Sequence, residues 1–383
     1  MVGSQRTFYE FFAGGGLARA GLGRGWRCAF ANDIDPIKAQ VYEENFGAAD
    51  FRLADVHALD TADLPGQADL AWASSPCQDL SLAGRGDGLR AERSGAFWGF
   101  HRLMAALVRE NRAPRVIAFE NVCGLASRRG GADFAELIRA FVDIGYRAGA
   151  LELDAAHFLP QSRPRLFVIA VRRERPIPQS LIGESPFQTP LVTKARAALP
   201  PDLAAQWVNW ALPIPPARNT NLGAVLATGA QDWRSAEDTA RLLSLLAPGH
   251  KAKLALAQET AATQAAPVYG TGYRRIRMER GDKRQRLELR FDGLAGCLRT
   301  PAGGSSVQMV VEVRPHAPPR FRTLSPEEAK RLMGLPERYR LPSGQSNGLK
   351  VLGDGVAVPV VAWLSQHLLR PLAGASPIAA AAE

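Results

Sequence analysis

The chain has 383 residues, 46% of them hydrophobic, with 47 Lys and Arg against 37 Asp and Glu and a formal charge of +10. Length and apolar share allow a large core divided into two domains, and the basic balance favours a polyanionic partner. Cys28, Cys77, Cys123 and Cys297 stand far apart, with no Cys-x-x-Cys pair and no Cys/His metal spacing, which excludes a disulfide scaffold and a zinc site and suits a reducing cytoplasm. No apolar run reads as membrane-spanning, and no hydrophobic stretch of leader type follows Met1–Arg6.

In chain order, Thr7–Phe12 predicts a first strand, followed by a Gly14-Gly15-Gly16 turn and a helix through Ala18 and Ala20. Arg27–Ala31 predicts a second strand, ending at Asn32-Asp33; Phe51–Asp55 a third; and Asp69–Ala73 a fourth, ending just before Cys77. Phe97–Arg109 has the spacing of an amphipathic helix, Arg115–Phe119 predicts a fifth strand ending at Glu120-Asn121, and Arg165–Val171 a further apolar strand. This alternation is the pattern of a parallel α/β sheet. From Arg173 to about Pro319 the chain is rich in Pro, Gly, Ala and Arg without such alternation, which predicts a smaller, irregular domain. Order returns with Ser325 as an N-cap, Pro326 in the first turn and acids after it, and Val356–Leu369 predicts a final apolar helix. The expected division is a domain of residues 1–172 completed by 345–372, a second domain over 173–340, and a disordered tail at 373–383.

A glycine turn between strand and helix lets bare backbone and helix N–H groups face a ligand. Asp33, nineteen residues after Gly14, is placed to accept from ribose hydroxyls, the layout of a nucleoside site. No Gly-Lys-Ser/Thr follows, so this is not a P-loop, and Arg19 stands where a dinucleotide fingerprint has its third glycine. In an open α/β sheet ligands bind outside the carboxyl ends of the strands. Gly14, Asp33, Asp55, Cys77 and Glu120 all fall at such ends and should line one crevice. A free cysteine is most often a small buried hydrophobe, but a thiol beside a carboxyl in that position suits covalent catalysis with an assisting acid. Arg163 and Arg165, alternating around Pro164, predict two guanidinium groups on one face, able to clamp an anion or hold Glu120; the plainer alternative is a solvated strand end. Tyr273–Arg290 carries eight Lys and Arg against three acids, a candidate phosphate-contacting surface, although charge runs are commonly just solvated.

Taken together and in order, these segments resemble the DNA (cytosine-5)-methyltransferases. The resemblance rests on Phe12-Ala13-Gly14-Gly15-Gly16, Asn32-Asp33-Ile34-Asp35, Leu53-Ala54-Asp55-Val56, Pro76-Cys77-Gln78-Asp79-Leu80-Ser81, Glu120-Asn121-Val122 and Gln161-Ser162-Arg163-Pro164-Arg165. It continues in Arg322-Thr323-Leu324 with Glu328, in Arg331–Pro336, and in Gly353-Asp354-Gly355-Val356.

The resemblance implies a Rossmann-like S-adenosylmethionine-dependent methyltransferase domain with a mixed, mostly parallel sheet, and a target-recognition domain. Phe12, Ala13, Gly14, Gly16, Asp33, Ile34, Asp55, Pro76, Gly355 and Val356 would bind S-adenosylmethionine. Cys77 would be the nucleophile, Glu120 would contact the cytosine, and Arg163 and Arg165 would support them. Gln78, Ser81, Arg85 and Gln161 would meet the substrate, with the segment Gly84–Gly88 closing over a flipped base. Duplex DNA is the implied partner of a monomeric enzyme, alongside a cognate restriction endonuclease acting separately. Three departures stand out: Leu17 where many members have glycine, Asp354 where the family usually has asparagine, and Cys297 where threonine is common. The alternatives are an RNA (tRNA) cytosine-5 methyltransferase and a catalytically silent DNA-binding relative, with a nicotinamide oxidoreductase the weakest.

Overall fold

The computed structural model describes residues 5–76, 95–227, 229, 232–279, 281–300 and 307–374. They form two compact units, the first of Met1–Asp154, Pro164–Pro216 and Val358–Glu383, the second of Ala155–Arg163 and Ala217–Ala357.

The first unit opens with β1 (Arg6–Phe11), α1 (Leu17–Leu22), β2 (Trp26–Asp33), α2 (Pro36–Phe46), β3 (Phe51–Leu53) and β4 (Leu70–Ala73). It continues through α3 (Ala96–Arg109), β5 (Val116–Asn121), α4 (Ala132–Asp143), β6 (Tyr146–Asp154), β7 (Pro164–Arg172), α5 (Pro190–Ala197) and α6 (Pro201–Ala204). The seven strands run in the order β3-β2-β1-β4-β5-β7-β6. They are parallel from β3 to β5, and β7 is antiparallel to both β5 and β6, the mixed, mostly parallel sheet expected. Alternate residues Tyr9, Phe11, Ala71, Ala73, Ile117 and Phe119 join one core with Phe97, Phe100, Leu103 and Met104 of α3 and Phe134, Leu137 and Phe141 of α4. The period of 2 in the strands meets the 3.6 period of the helices along that face.

The sequence did not reveal β6, whose Tyr-Arg-Ala-Gly-Ala start lacks the β-branched residues of a strand. Gly149 is needed there because a Cβ would lie 1.8 Å from the Val208 carbonyl oxygen, and Val208 N–H bonds to Ala148 O at 2.9 Å. Phe187, Val192, Leu203 and Trp210 are likewise buried. The segment up to Pro216 therefore packs into the first unit, and the boundary falls there instead of at Arg173.

The second unit contains α7 (Leu222–Val225), α8 (Ala236–Ser244), α9 (Pro248–Gln264), β8 (Val268–Glu279), β9 (Asp282–Arg290), β10 (Met309–Val313), β11 (Arg320–Thr323), α10 (Pro326–Leu332) and α11 (Gln345–Asp354). The region expected to be irregular is in fact built on an antiparallel sheet of order β11-β10-β8-β9. Leu242, Leu254, Ala257, Leu287, Leu289, Val311 and Phe321 form its core. The strands escaped notice because arginines occupy both faces of the β8–β9 hairpin, which masks the alternation. Helix α10 starts where expected: Ser325 and Glu328 form a capping box.

The chain then re-enters the first unit as α12 (Val358–Leu364), a π turn over Ser365–Leu369 and α13 (Arg370–Gly374). A Cβ on Gly21 of α1 would lie 2.5 Å from Val361 Cβ, so the glycine permits α12 to pack directly on the helix that follows the glycine turn. An 18-residue stretch within Gln345–Gly374 reaches a mean hydropathy of 1.3, apolar enough by length and composition alone to cross a bilayer. Gln345–Gly374 is interrupted at 355–357, and Val360, Val361, Leu364, Leu368, Leu369 and Leu372 are buried within the protein, as in a core helix.

Candidate active site

Strand register brings the predicted positions to one edge of the first unit. Phe11 pairs with Asn32 and with Ala73, Ala73 pairs with Phe119, and Asp33 pairs with Leu53. The residues that follow, Phe12–Gly14, Asp33-Ile34, Asp55, Ser74–Pro76 and Glu120, therefore leave the sheet side by side at its carboxyl edge. Strand β1 lies between β2 and β4, so the chain order reverses here, where a crevice opens in such sheets.

The glycine turn is held by Asp33, which is 7% exposed. One carboxylate oxygen accepts the Gly14 N–H at 2.8 Å and the other the Asp35 N–H at 2.9 Å. Phe12 has φ of 56° and Gly14 also 56°, a left-handed backbone that is uncommon away from glycine. Gly16, at φ 79°, has no room for a side chain: a Cβ would sit 2.4 Å from Phe46 Cε2. Above Gly14 the nearest atom to such a Cβ is Lys38 Cδ at 4.0 Å, so its backbone is open to a ligand. Ala13 is buried, while Ile34 is 65% exposed at the end of β2. Asp55 is exposed and caps the next turn through the His57 N–H at 2.9 Å.

Two groups missed from the sequence support this loop. Glu10 is 1% exposed within β1 and accepts the Arg19 N–H at 3.3 Å. Burial pushes its carboxyl up to about 8, against the pull of Arg19. A charged residue inside an apolar strand was the available signal. Arg19 itself donates to Tyr42 Oη at 2.9 Å and lies 5.0 Å from the centre of the Phe46 ring, which explains an arginine at the position where dinucleotide folds have glycine.

At the other end of the edge, Arg165 Nε is 3.1 Å from Glu120 Oε1, both side chains being largely buried. Asn121 Nδ2 donates to Ser75 O at 3.0 Å, tying the exit of β4 to β5 two residues before Cys77. Pro76 is exposed. Cys77, Gln78, Ser81 and Arg85 lie outside the described residues. Of the other cysteines, Cys28 and Cys123 have thiols pushed up to about 12 by burial, Cys123 also by Glu152. Such thiols stay protonated at neutral pH and are poor nucleophiles.

The two arginines of the Arg163-Pro164-Arg165 segment go different ways. Arg163 is 2% exposed. Within the second unit it donates to Leu298 O at 2.9 Å, Gly353 O at 2.8 Å and Gly355 O at 2.6 Å, with Cys297 Sγ at 3.3 Å. It thus braces the turn that carries Gly355 and Val356. Asp354 accepts from Thr300 Oγ1, which gives an acid at this position a partner. Gln161 is fully buried; its amide donates to Leu332 O at 2.6 Å and accepts the Leu298 N–H at 3.2 Å. Both ends are engaged inside the unit, a structural role where a substrate contact was expected.

The basic run forms the β8–β9 hairpin, with Arg275 opposite Arg286 and Arg277 opposite Arg284. Part of its charge is answered locally: Arg275 and Arg277 pair with Glu288, Arg286 with Glu279 and Arg290 with Asp292. Lys283 and Arg284 are exposed and form no ion pair among the described residues. Ile276 and Met278 stand exposed at 63% and 64%. Arg280 lies outside the described residues. No group of three or more potential metal ligands occurs among the described residues.

The family described as C-5 cytosine-specific DNA methylase matches residues 6–370. Type II methyltransferase M.MspI of Moraxella sp is 24% identical over 95% of this chain and 71% of its own length. Type II methyltransferase M.HhaI of Haemophilus parahaemolyticus is 24% identical over 94% of this chain and 93% of its own. Among solved structures, a Spodoptera frugiperda DNMT2 mutant superposes with a TM-score of 0.59 at 16% identity, covering 96% of this chain and 99% of that one. S. pombe Dnmt2 methyltransferase gives 0.56 at 16% identity with the same coverage. Those identities speak to fold alone. The family match runs from β1 to the start of α13 and takes in every segment on which the resemblance rested: the chain belongs to the C-5 cytosine-specific DNA methylases.

Proposed function

We propose that this enzyme transfers a methyl group from S-adenosylmethionine to carbon 5 of a flipped-out cytosine within a specific duplex DNA sequence, through a covalent Cys77 adduct, as the modification partner of a restriction endonuclease that acts separately. What carries the reading is the register that aligns the ends of β1, β2, β4 and β5, together with the Asn121–Ser75 bond that ties the approach to Cys77 to the strand bearing Glu120.

The residues at the glycine turn fit the cofactor. Open backbone at Gly14, the exposed apolar face of Ile34 and the carboxylates of Asp33 and Asp55 offer, in order, a cradle, a platform for a flat base and acceptors for hydroxyl or amine donors. Bound there, the cofactor supplies an electrophilic sulfonium methyl. Pro76 would border it, and within the second unit Arg163 would act as a positioning residue by holding the Gly353–Gly355 turn.

Carbon 5 of cytosine is a poor nucleophile. Addition of the Cys77 thiolate at carbon 6 converts the ring to an enamine whose carbon 5 takes the methyl group. A base then removes the carbon 5 proton and the thiolate leaves. Glu120, one oxygen held by Arg165, would present the other to N3 and the exocyclic amine as charge develops. None of these atoms is reachable in a stacked duplex, so the base must be flipped, at a cost of a few kcal/mol that Gln78, Ser81, Arg85 and the basic hairpin would offset by phosphate and base contacts.

A methyl-transfer assay on duplex DNA and tRNA, with bisulfite mapping of the product, tests the substrate. Label confined to tRNA refutes the DNA assignment, and DNA binding without transfer marks a silent relative. For the mechanism, Cys77→Ser should lose turnover while keeping DNA binding, and DNA containing 5-fluorocytosine should form a stable adduct with the wild-type enzyme. Full activity of Cys77→Ser excludes the nucleophile.

A further inference from the structure

At the opposite, amino edge of the first unit's sheet lies a second polar cavity of about 300 Å³, lined among others by Arg115, Arg172, Glu174 and Arg175. Val116 pairs with Leu70 and with Val171, so the residues just outside those pairs, Asp69, Arg115 and Arg172, emerge together. The Arg172 N–H donates to Arg115 O at 3.0 Å. Arg115 is answered by Asp69 at 3.3 Å and by Ala373 O at 2.7 Å. Arg172 is answered by Glu174 at 2.8 Å and lies over the Tyr146 ring.

Arg175 has no such direct contact among the described residues. It is 7% exposed, and its guanidinium forms no hydrogen bond or ion pair among the described residues. Burial and the neighbouring Arg115 charge disfavour its protonated form and outweigh the smaller, opposite pull of Glu174 and Asp69. Arg147 donates to Arg175 O at 2.7 Å. Three guanidinium groups, of Arg115, Arg172 and Arg175, thus line the cavity with one carboxylate, Glu174. A buried cation is costly unless it is paired, and the guanidinium fork matches tetrahedral oxyanions.

We propose that this cavity binds a phosphate-type oxyanion, with Arg175 as its principal ligand and Arg115 and Arg172 as flanking donors. The site lies at the far end of the strands from the glycine turn, and the proposal stands independently of the methyl-transfer chemistry.

Thermal unfolding at constant ionic strength, with chloride exchanged for inorganic phosphate, tests it. Wild-type Tm should rise by about 2–4 °C at saturating phosphate. Arg175→Gln should lose that rise, and in chloride should unfold at or above the wild-type temperature, because a buried charge without a direct contact has been removed. Arg175→Met, which keeps the aliphatic stem, should behave the same way. A Lys283→Ala/Arg284→Ala hairpin variant should keep the full rise, separating this cavity from the basic hairpin. Repeating the titration with a nucleoside monophosphate separates the free ion from a phosphate ester: a larger shift at equal concentration assigns the cavity to the ester, an equal or smaller one to the ion. No rise over chloride in the wild type, or equal rises in the wild type and both Arg175 variants, overturns the proposal.

Discussion

Asp33 has two tasks at one carboxylate. Its oxygens already accept from Gly14 and Asp35, and each retains a lone pair for a ribose hydroxyl. Hydrogen bonds to a charged group contribute about 1.5–3 kcal/mol each. Asp33→Ala should therefore weaken S-adenosylmethionine binding about 10- to 100-fold by calorimetry, and unchanged affinity would remove Asp33 from the cofactor site. Glu10 poses a different question. Its folded-state carboxyl, raised to about 8 from an ordinary value of 4.5, holds a proton that the unfolded chain gives up. Its stabilising contribution is complete below the ordinary value and is lost as pH rises through the window up to about 8. Urea unfolding between pH 5 and 9 should show a decline that Glu10→Gln flattens; parallel profiles for the two proteins would contradict it. The raised thiols of Cys28 and Cys123 predict that neither is alkylated by iodoacetamide in the native protein at pH 7.5, as peptide mapping would show.

Among the elements, the glycine turn and the hairpin carry the sharpest expectations. Gly14 and Gly16 both have positive φ, but only Gly16 is crowded, by Phe46 and Tyr42. Gly14→Ala should cost about 1 kcal/mol for the backbone alone, and Gly16→Ala about 2 kcal/mol or more because Phe46 must move as well. Equal losses in chemical denaturation would mean that packing at Gly16 adds nothing. The hairpin retains Lys283 and Arg284 for an external anion. If both contact phosphates, Lys283→Ala/Arg284→Ala should flatten the slope of log affinity against log salt by about 2, and an unchanged slope would move the DNA contacts elsewhere.

Over the whole molecule, the count of 47 Lys and Arg overstates the cations open to a polyanion, because Arg275, Arg277, Arg286, Arg290 and Arg322 are answered by acids within the second unit. Strands β1, β4 and β5 were legible because a strand buried on both faces leaves a continuous apolar run, and the shared edge because the candidate residues sit where those runs stop. Strand β6 was not legible, since Gly149 and its alanines answer to the close approach of Val208 and not to strand propensity. Nor was the sheet of the second unit, where solvated arginines hide the alternation. The sequence by itself determined six of the seven strands of the first unit, the residue set of Cys77, Glu120 and the glycine turn, and the family. Tertiary structure decided the partners: Arg165 to Glu120, Arg163 to the Gly353–Gly355 turn, and Asn121 to Ser75. Strand propensity and apolar runs are local and can be read along the chain. The partner of a buried polar group is set by which distant backbone the fold brings within about 3 Å of it, and that distance is written in no single segment.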